Sequence, residues 1–286
     1  MLGRKGFLAL LALPPSVWLT LLLLAPMVLI MVISFRPEPG PIDFSDDWSP
    51  TLLQYQEVLS TPSYLRALGI SVLMAFIVAL TATALAYPIA YFLTFRAGSR
   101  AAVFLILLLV PFAVSYLLRV MAWRLMLGQE GAINSLLQWL GLTSEPLDLL
   151  IYSRAAVVVT LIYVWIPFAA LPIYAAMGRI DVRQLEAAAD LGASPWTRFL
   201  RITIPLSLPG ALASFFLVFI PTVGEYITPR LVGGSETYMY GQLIQDFFSR
   251  AASWAAGSAA AVIMLVVTIV LVLIAVRLVD VRRVAA

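Results

Sequence analysis

Six long apolar runs dominate this sequence and limit the folds that it can adopt. They lie at about 11–35, 68–95, 102–126, 154–178, 206–228 and 257–279. A helix needs roughly 20 residues to cross about 30 Å of hydrocarbon, and each run is long enough. Barrel strands would be shorter and would alternate polar with apolar residues. The sequence therefore predicts an all-α integral membrane protein of six transmembrane helices, with 1–286 as one transmembrane domain.

Composition supports this and excludes several classes of function. Of 286 residues, 62% are hydrophobic and 12% are charged, whereas soluble domains carry about 25% charged residues. The absence of cysteine and histidine removes thiolate metal sites, cysteine nucleophiles and the commonest general base. The only lysine, Lys5, lies near the N-terminus and cannot belong to a P-loop. If the protein pumps, ATP is hydrolysed by another subunit.

The first apolar run is predicted to be a retained span. Its basic start, Arg4 and Lys5, also fits a signal peptide, but the run is too long and no small-residue cleavage site follows Ser34.

The distribution of basic residues predicts that both termini are cytoplasmic. In that orientation eleven lysines and arginines lie in inside segments and five in outside segments, as the positive-inside rule requires. The inside residues are Arg4, Lys5, Arg96, Arg100, Arg179, Arg183, Arg198, Arg201, Arg277, Arg282 and Arg283. Of the outside loops, 127–153 is predicted to contain an amphipathic stretch over 132–140.

The second inside loop, residues 179–205, is predicted to form two short helices with a sharp turn between them. Asp181 can cap the first helix, which continues over 184–191 and ends at Gly192. Ser194 can cap the second, with proline next. The second helix presents an apolar face of Trp196, Phe199 and Leu200. A helix pair of this kind suits docking into a groove of a partner protein. The alternative is an interfacial helix that lies on lipid.

The same loop resembles the EAA loop of ABC importer permeases. The family pattern is E-A-A, three residues, G, nine residues and I-x-L-P; this chain departs from it only at Ile204, which replaces leucine. The resemblance implies that the loop holds the coupling helix, which sits in a cleft of the ATPase subunit. We call 179–205 the coupling loop; its expected coupling residues are Glu186, Ala187, Ala188, Gly192, Trp196, Ile202 and Pro205.

Two further segments resemble the polyamine (spermidine/putrescine) permease subunits. They are 110–119 followed by 131–141, and 219–227 followed by Gly233 and Gly234. The resemblance implies the six-helix type I importer permease fold, in which the last five helices form the core. It also implies an inner-membrane complex of two permease subunits, two cytoplasmic ATPase subunits and an external substrate-binding protein. ATP and Mg²⁺ would bind the ATPase subunits, and this chain would hold no cofactor.

Ionisable residues within spans are candidates for contact with substrate. Glu225, expected in the fifth span, can pair with a substrate ammonium, or it can form a structural pair with Arg119 or with the partner permease. Arg119 can hold Glu225 or an anionic substrate group. Ring faces that can receive a cation are those of Tyr116, Trp123 and Tyr226; the alternative for each is a membrane anchor. Because Arg230 lies near Glu225, a zwitterionic amino-acid-like substrate also fits.

Two other classes of function stay open at this point. A stand-alone secondary transporter or channel usually has more intramembrane charge or internal repeats, and it needs no docking bracket. A membrane enzyme would need an acid–base pair or a metal site, and neither is visible in the sequence.

Overall fold

The computed structural model describes residues 4–37, 49–147 and 150–279, and these residues form helices and turns without a β-strand. The helices are α1 Arg4–Ile33, α2 Leu53–Ser60, α3 Pro62–Phe95, α4 Ala101–Leu109, α5 Tyr116–Leu127, α6 Ala132–Trp139, α7 Arg154–Met177, α8 Val182–Asp190, α9 Pro195–Arg198, α10 Ile204–Val223, α11 Ile227–Val232, α12 Tyr240–Ser249 and α13 Trp254–Val279. The predicted amphipathic stretch corresponds to α6. Arg282 and Arg283, counted for the orientation, lie outside the described residues.

Five of the described helices are long and apolar enough to cross a membrane, and one bent pair makes six if it is counted as a single span. The expectation of an all-α membrane protein is therefore confirmed. The five are Leu11–Ile33, Pro62–Phe95, Arg154–Met177, Pro195–Val223 and Trp254–Arg277. The predicted run 206–228 extends too far, because its helix ends at Val223 and the chain then turns at Gly224.

The third apolar run, 102–126, is broken near its middle. Pro111, which has no amide hydrogen to donate, lies in a tight 3₁₀ turn over Val110–Ala113. Val114 is extended, with a ψ of 139°, and α5 begins only at Tyr116. The helical segments on the two sides of this break are bent by 86°. The break brings the first turn of α5, rather than its middle, to the candidate site described below.

The described chain divides into two compact units. The first contains the residues up to Leu65 together with Leu243–Val267. Within it, the Ser34 hydroxyl lies 2.6 Å from the Tyr55 hydroxyl, and the rings of Phe35 and Tyr55 are in contact. From Leu11 onward, nearly all of the apolar side chains of α1 are exposed in the isolated chain, as expected for a surface that meets lipid.

The second unit contains Arg66–Gln242 and the residues from Thr268 onward. Its core is built on close helix packing between α7 and α10. A Cβ atom at Gly210 would lie 2.5 Å from Cβ of Ala176 and 2.6 Å from the carbonyl oxygen of Pro172. One face of α3 consists of small residues that are completely buried, namely Ala75, Ala79, Ala82, Ala86 and Ala90. Small residues let helix backbones approach closely, which drives packing where lipid competes for apolar surface.

Candidate functional site

The first helix of the coupling loop is capped at both ends as its sequence predicts. The Asp181 carboxylate accepts a hydrogen bond of 2.9 Å from the backbone N–H of Arg183, at the start of α8. At the other end Gly192 has a φ of +82°, a left-handed conformation that favours glycine. The backbone N–H of Ala193 then donates to the carbonyl of Ala188. These contacts fix the length of α8 and the direction in which the chain leaves it.

The second helix of the loop is the beginning of a longer helix. The Ser194 hydroxyl accepts a 3.2 Å hydrogen bond from the N–H of Thr197, and Pro195 occupies the first turn. After Arg198 the chain makes a wide π-helical turn over Phe199–Thr203 and continues directly into α10. The sequence predicted a separate short helix, but the first residues after Ser194 are joined to a membrane helix without a loop. A displacement of the coupling loop would therefore also move the N-terminal end of α10.

Arg198 and Phe199 connect the second helix of the coupling loop to α8 and to α3. Nη1 of Arg198 donates a 3.3 Å hydrogen bond to the carbonyl of Leu185 in α8. The Phe199 ring lies edge-on to the rings of Tyr91 and Tyr87 in α3, at centroid distances of 5.6 and 6.4 Å, and it stacks with Trp196 at 5.7 Å. The loop is thus tied to α3 by aromatic contacts as well as to α10 by the backbone.

The outer surface of the loop is apolar and exposed in the isolated chain. Leu191 is 89% exposed and Trp196 is 66% exposed. Glu186, Ala187 and Gly192 are also exposed, Ala188 and Ile202 are half-buried, and Pro205 is exposed at the start of α10. Large apolar side chains exposed in this way suit a surface that another protein covers or that lies on lipid, the two alternatives considered for this loop.

The second candidate region centres on Glu225, which follows α10 rather than lying within it. Its Oε1 atom accepts hydrogen bonds from the backbone N–H groups of Tyr226, Ile227 and Thr228, at 3.1, 2.8 and 3.1 Å. These amides open α11, so the carboxylate caps that helix in the manner expected of an acid at a helix N-terminus. The side chain is half-buried, and the turn itself supplies three of its hydrogen bonds.

Tyr116 joins this turn to the broken span. Its hydroxyl donates a 2.8 Å hydrogen bond to Oε2 of Glu225 and lies 2.6 Å from the Thr228 hydroxyl. Tyr116 is the first residue of α5, so the break after Pro111 is what places its side chain against Glu225. The structure therefore brings together two of the residues that the sequence singled out.

Arg119, one turn further along α5, lies against the aromatic rings of this region. Its Cζ atom is 4.4 Å from the centre of the Phe112 ring and 5.9 Å from that of Tyr116. The side chain is only 8% exposed. No described residue forms an ion pair or accepts a hydrogen bond from its guanidinium, and Nε is buried without a partner. The direct pair with Glu225 that the sequence analysis considered is not formed.

The remaining candidates lie in different surroundings. Trp123 packs on Tyr163 of α7 at a centroid distance of 5.3 Å, and Tyr226 is 39% exposed. Two members of the cluster, Thr228 and Phe112, were not anticipated. Thr228 follows Glu225 by three residues in the first turn of α11, and its proximity in sequence to the acidic candidate would have pointed to it. Phe112 reaches Arg119 only because of the backbone break.

Comparison with known proteins agrees with the geometry. Residues 5–284 match the family described as binding-protein-dependent transport system inner membrane component. The spermidine/putrescine transport system permease protein PotB of Salmonella typhimurium strain SL1344 is 33% identical over 262 residues, which are 90% of this chain and 88% of that protein. PotB of Escherichia coli K12 is 33% identical over 255 residues, with 87% and 90% of the two chains covered.

Among solved structures, a chain of a bacterial alginate ABC transporter, in complex with an alginate pentasaccharide-bound periplasmic protein, has the same fold. The TM-score is 0.75 at 20% sequence identity, and the match covers 99% of this chain and 96% of that chain. The family match spans nearly the whole sequence, and it includes both the coupling loop and the region of Glu225. The chain therefore belongs to the family of binding-protein-dependent transport system inner membrane components, the permease subunits of ABC importers.

Proposed function

We propose that this permease subunit forms part of the route by which polyamines such as putrescine and spermidine are imported. The observation that carries the proposal is the similarity to spermidine/putrescine permeases, which extends over about nine-tenths of both chains. An aligned region of that length includes the helices around the proposed substrate path as well as the coupling loop.

The same proposal assigns the partners. The whole chain, 1–286, acts as a single permease domain beside a second permease subunit, with which it forms a heterodimer. A pair of cytoplasmic ATPase subunits binds ATP and Mg²⁺, while this chain holds neither. The exposed apolar surface of the coupling loop, with Leu191 and Trp196 outermost, supports docking onto those subunits. An external binding protein delivers the substrate to the opposite side.

Both termini are proposed to be cytoplasmic. The excess of arginine in the segments that this orientation places inside supports it. The coupling loop then lies on the side of the ATPase subunits. The turn at Glu225 follows α10, the membrane helix that begins beside the coupling loop, so it lies towards the other face.

The proposed substrate path includes Glu225, Arg119, Tyr116, Trp123 and Tyr226. Polyamines carry protonated amines, which are attracted by a carboxylate and by aromatic faces. Glu225 suits this role because its position is fixed by four hydrogen bonds while no described cation forms an ion pair with it. A fixed and half-buried negative charge attracts an ammonium group without having to be reorganised when the substrate arrives.

The test is the ATPase activity of the reconstituted complex with its binding protein, titrated with putrescine, spermidine and a panel of zwitterionic amino-acid-like compounds. Stimulation by a polyamine supports the proposal. Stimulation by a zwitterion alone would keep the importer and replace its substrate class. Uptake by this chain without an ATPase subunit would instead support a secondary transporter. A complex with an inactive ATPase subunit serves as the control.

A further inference from the structure

The guanidinium of Arg119 is a buried cation that lacks an anionic partner in the described part of the chain. Arginine stays protonated in proteins, and burying an unpaired charge is costly. Here the ring faces of Phe112 and Tyr116, at 4.4 and 5.9 Å, compensate in part. A hydrogen bond to Nε would compensate further, yet that atom has no partner. Within the described residues, this positive charge forms no salt bridge.

Glu225 is an anion that likewise has no ion-pair partner in the described residues, and it contacts the hydroxyl group of Tyr116. The hydroxyl end of the Tyr116 ring donates to its carboxylate, while the face of the same ring neighbours Arg119. All of the hydrogen-bond donors to Glu225 found in the described residues are neutral, namely one phenol and three backbone amides. A cation and an anion are thus held beside one aromatic ring, each by neutral groups.

We infer that Arg119 is a specificity-determining residue that weakens the binding of a substrate ammonium at Glu225, so that the substrate is released along the path. The inference rests on the proposed polyamine function. An ammonium that approaches Glu225 is attracted by the carboxylate and repelled by the guanidinium of Arg119. The guanidinium also lies over the rings of Phe112 and Tyr116, where it competes with the ammonium for the ring faces. A transport route needs such a balance, because a site that binds too tightly does not let its substrate leave.

This role makes a prediction that a purely structural role does not make. If Arg119 only filled space or braced α5, its replacement would lower the amount of folded protein or lower turnover, with no gain in apparent affinity. If it bound a carboxylate of the substrate, its replacement would weaken binding. If Arg119 instead repels the substrate ammonium, its replacement should tighten apparent binding and slow turnover.

The experiment uses the full reconstituted complex and measures spermidine uptake into proteoliposomes as a function of spermidine concentration. For Arg119→Gln we expect a KM roughly tenfold lower, since a like charge is removed from the neighbourhood of the site, and a lower maximal rate. Arg119→Lys keeps the charge but not the planar guanidinium, so it should lower KM less than Arg119→Gln does. An unchanged or higher KM in Arg119→Gln, at normal levels of assembled complex, would overturn the inference.

A second variant tests whether the effect acts through Glu225. In the Glu225→Gln background the carboxylate is neutral, so Arg119→Gln should no longer lower KM by the same factor. Equal effects in both backgrounds would overturn the inference. Arg124→Gln is the control, because Arg124 is exposed and donates to the Tyr152 hydroxyl at 3.4 Å. The wild-type response keeps the two proposals apart: absence of uptake by wild type refutes the polyamine function, whereas normal wild-type uptake with an unaltered Arg119→Gln variant refutes only the role of Arg119.

Discussion

Nη1 of Arg198 lies 3.3 Å from the carbonyl oxygen of Leu185, and this hydrogen bond joins the two helical arms of the coupling loop across the turn at Gly192. Because α9 continues into α10, the bond also connects α8 to a membrane helix. The angle between the two helices of the coupling loop therefore depends on this side chain in addition to the turn.

Replacing Arg198 should loosen this connection without removing the docking surface. A hydrogen bond from a charged donor contributes about 1.5–3 kcal/mol, so we expect Arg198→Gln to reduce uptake roughly tenfold while the ATPase subunits still copurify. Uptake and copurification are measured on the same preparation. Arg201→Gln is the matched control, because Arg201 is exposed in the π-helical turn. Loss of copurification in Arg198→Gln would show that the residue contacts the ATPase instead.

Charge reversal at Glu186 should prevent docking of the ATPase subunits. Glu186 is exposed and holds no hydrogen bond within the described loop, so Glu186→Arg should insert and fold normally. We expect ATPase copurification and uptake to fall below about a tenth of wild type, because a like-charge contact at a buried interface costs several kcal/mol. Glu145→Arg, at an exposed position outside the coupling loop, is the control. Normal uptake by Glu186→Arg would contradict the assignment of the loop.

The backbone of Gly192 should be intolerant of side chains. A residue with a Cβ atom at φ +82° costs roughly 1–2 kcal/mol, and proline cannot adopt that angle at all. We expect Gly192→Ala to weaken ATPase docking about tenfold and Gly192→Pro to abolish uptake, with both proteins still inserted. The control is Gly178→Ala, because Gly178 ends α7 at a φ of −64°. If Gly192→Ala and Gly178→Ala behave alike in a docking titration, the turn is not constrained.

Loss of the Tyr116 hydroxyl should displace Glu225. Tyr116→Phe keeps the ring but removes the bond to Oε2 and the contact with Thr228. Since hydrogen bonds to charged groups contribute about 1.5–3 kcal/mol, we expect uptake at subsaturating spermidine to fall roughly tenfold. Tyr174→Phe is the comparison, because the Tyr174 hydroxyl bonds to no described residue. Equal uptake by the two variants would indicate that the orientation of Glu225 is set by its turn alone.

A methyl group at Gly210 should separate α7 from α10. It would lie 2.5 Å from Cβ of Ala176, whereas a Cβ at Gly69 in α3 would meet nothing within 4 Å. We expect Gly210→Ala to lower the free energy of unfolding by about 1–3 kcal/mol. Gly69→Ala should be neutral or stabilising by up to about 1 kcal/mol. Thermal unfolding of the purified protein in detergent measures both, and a similar midpoint for the two variants would contradict the close packing.

Much of this architecture follows from sequence because its signals are local. Apolar length predicts the membrane helices, and the caps at Asp181 and Ser194 and the glycine at 192 define the coupling loop through neighbouring residues alone. The spacing of the EAA pattern needs no knowledge of tertiary structure either.

The candidate substrate path was less predictable because it depends on contacts between distant elements. Hydropathy does not show that α10 ends before Glu225 or that the third apolar run breaks at Val114. The contact between Tyr116 and Glu225 joins residues 109 positions apart, and it depends on both of these backbone events. The continuity of α9 with α10 was missed for a related reason, since a π-helical turn has no clear sequence pattern.

The bend in the third apolar run has a consequence for how the protein is assembled. Helix α5 has 12 residues and is only about 18 Å long, so on its own it cannot traverse a bilayer. In lipid, the unpaired backbone groups at the break would each cost several kcal/mol, and a straight segment would be favoured. We expect the bend to become stable only when α7 and α11 close around α5. On this expectation, the segment inserts into the bilayer first, and the proposed substrate path forms in a later step, when α5 is packed against its neighbours.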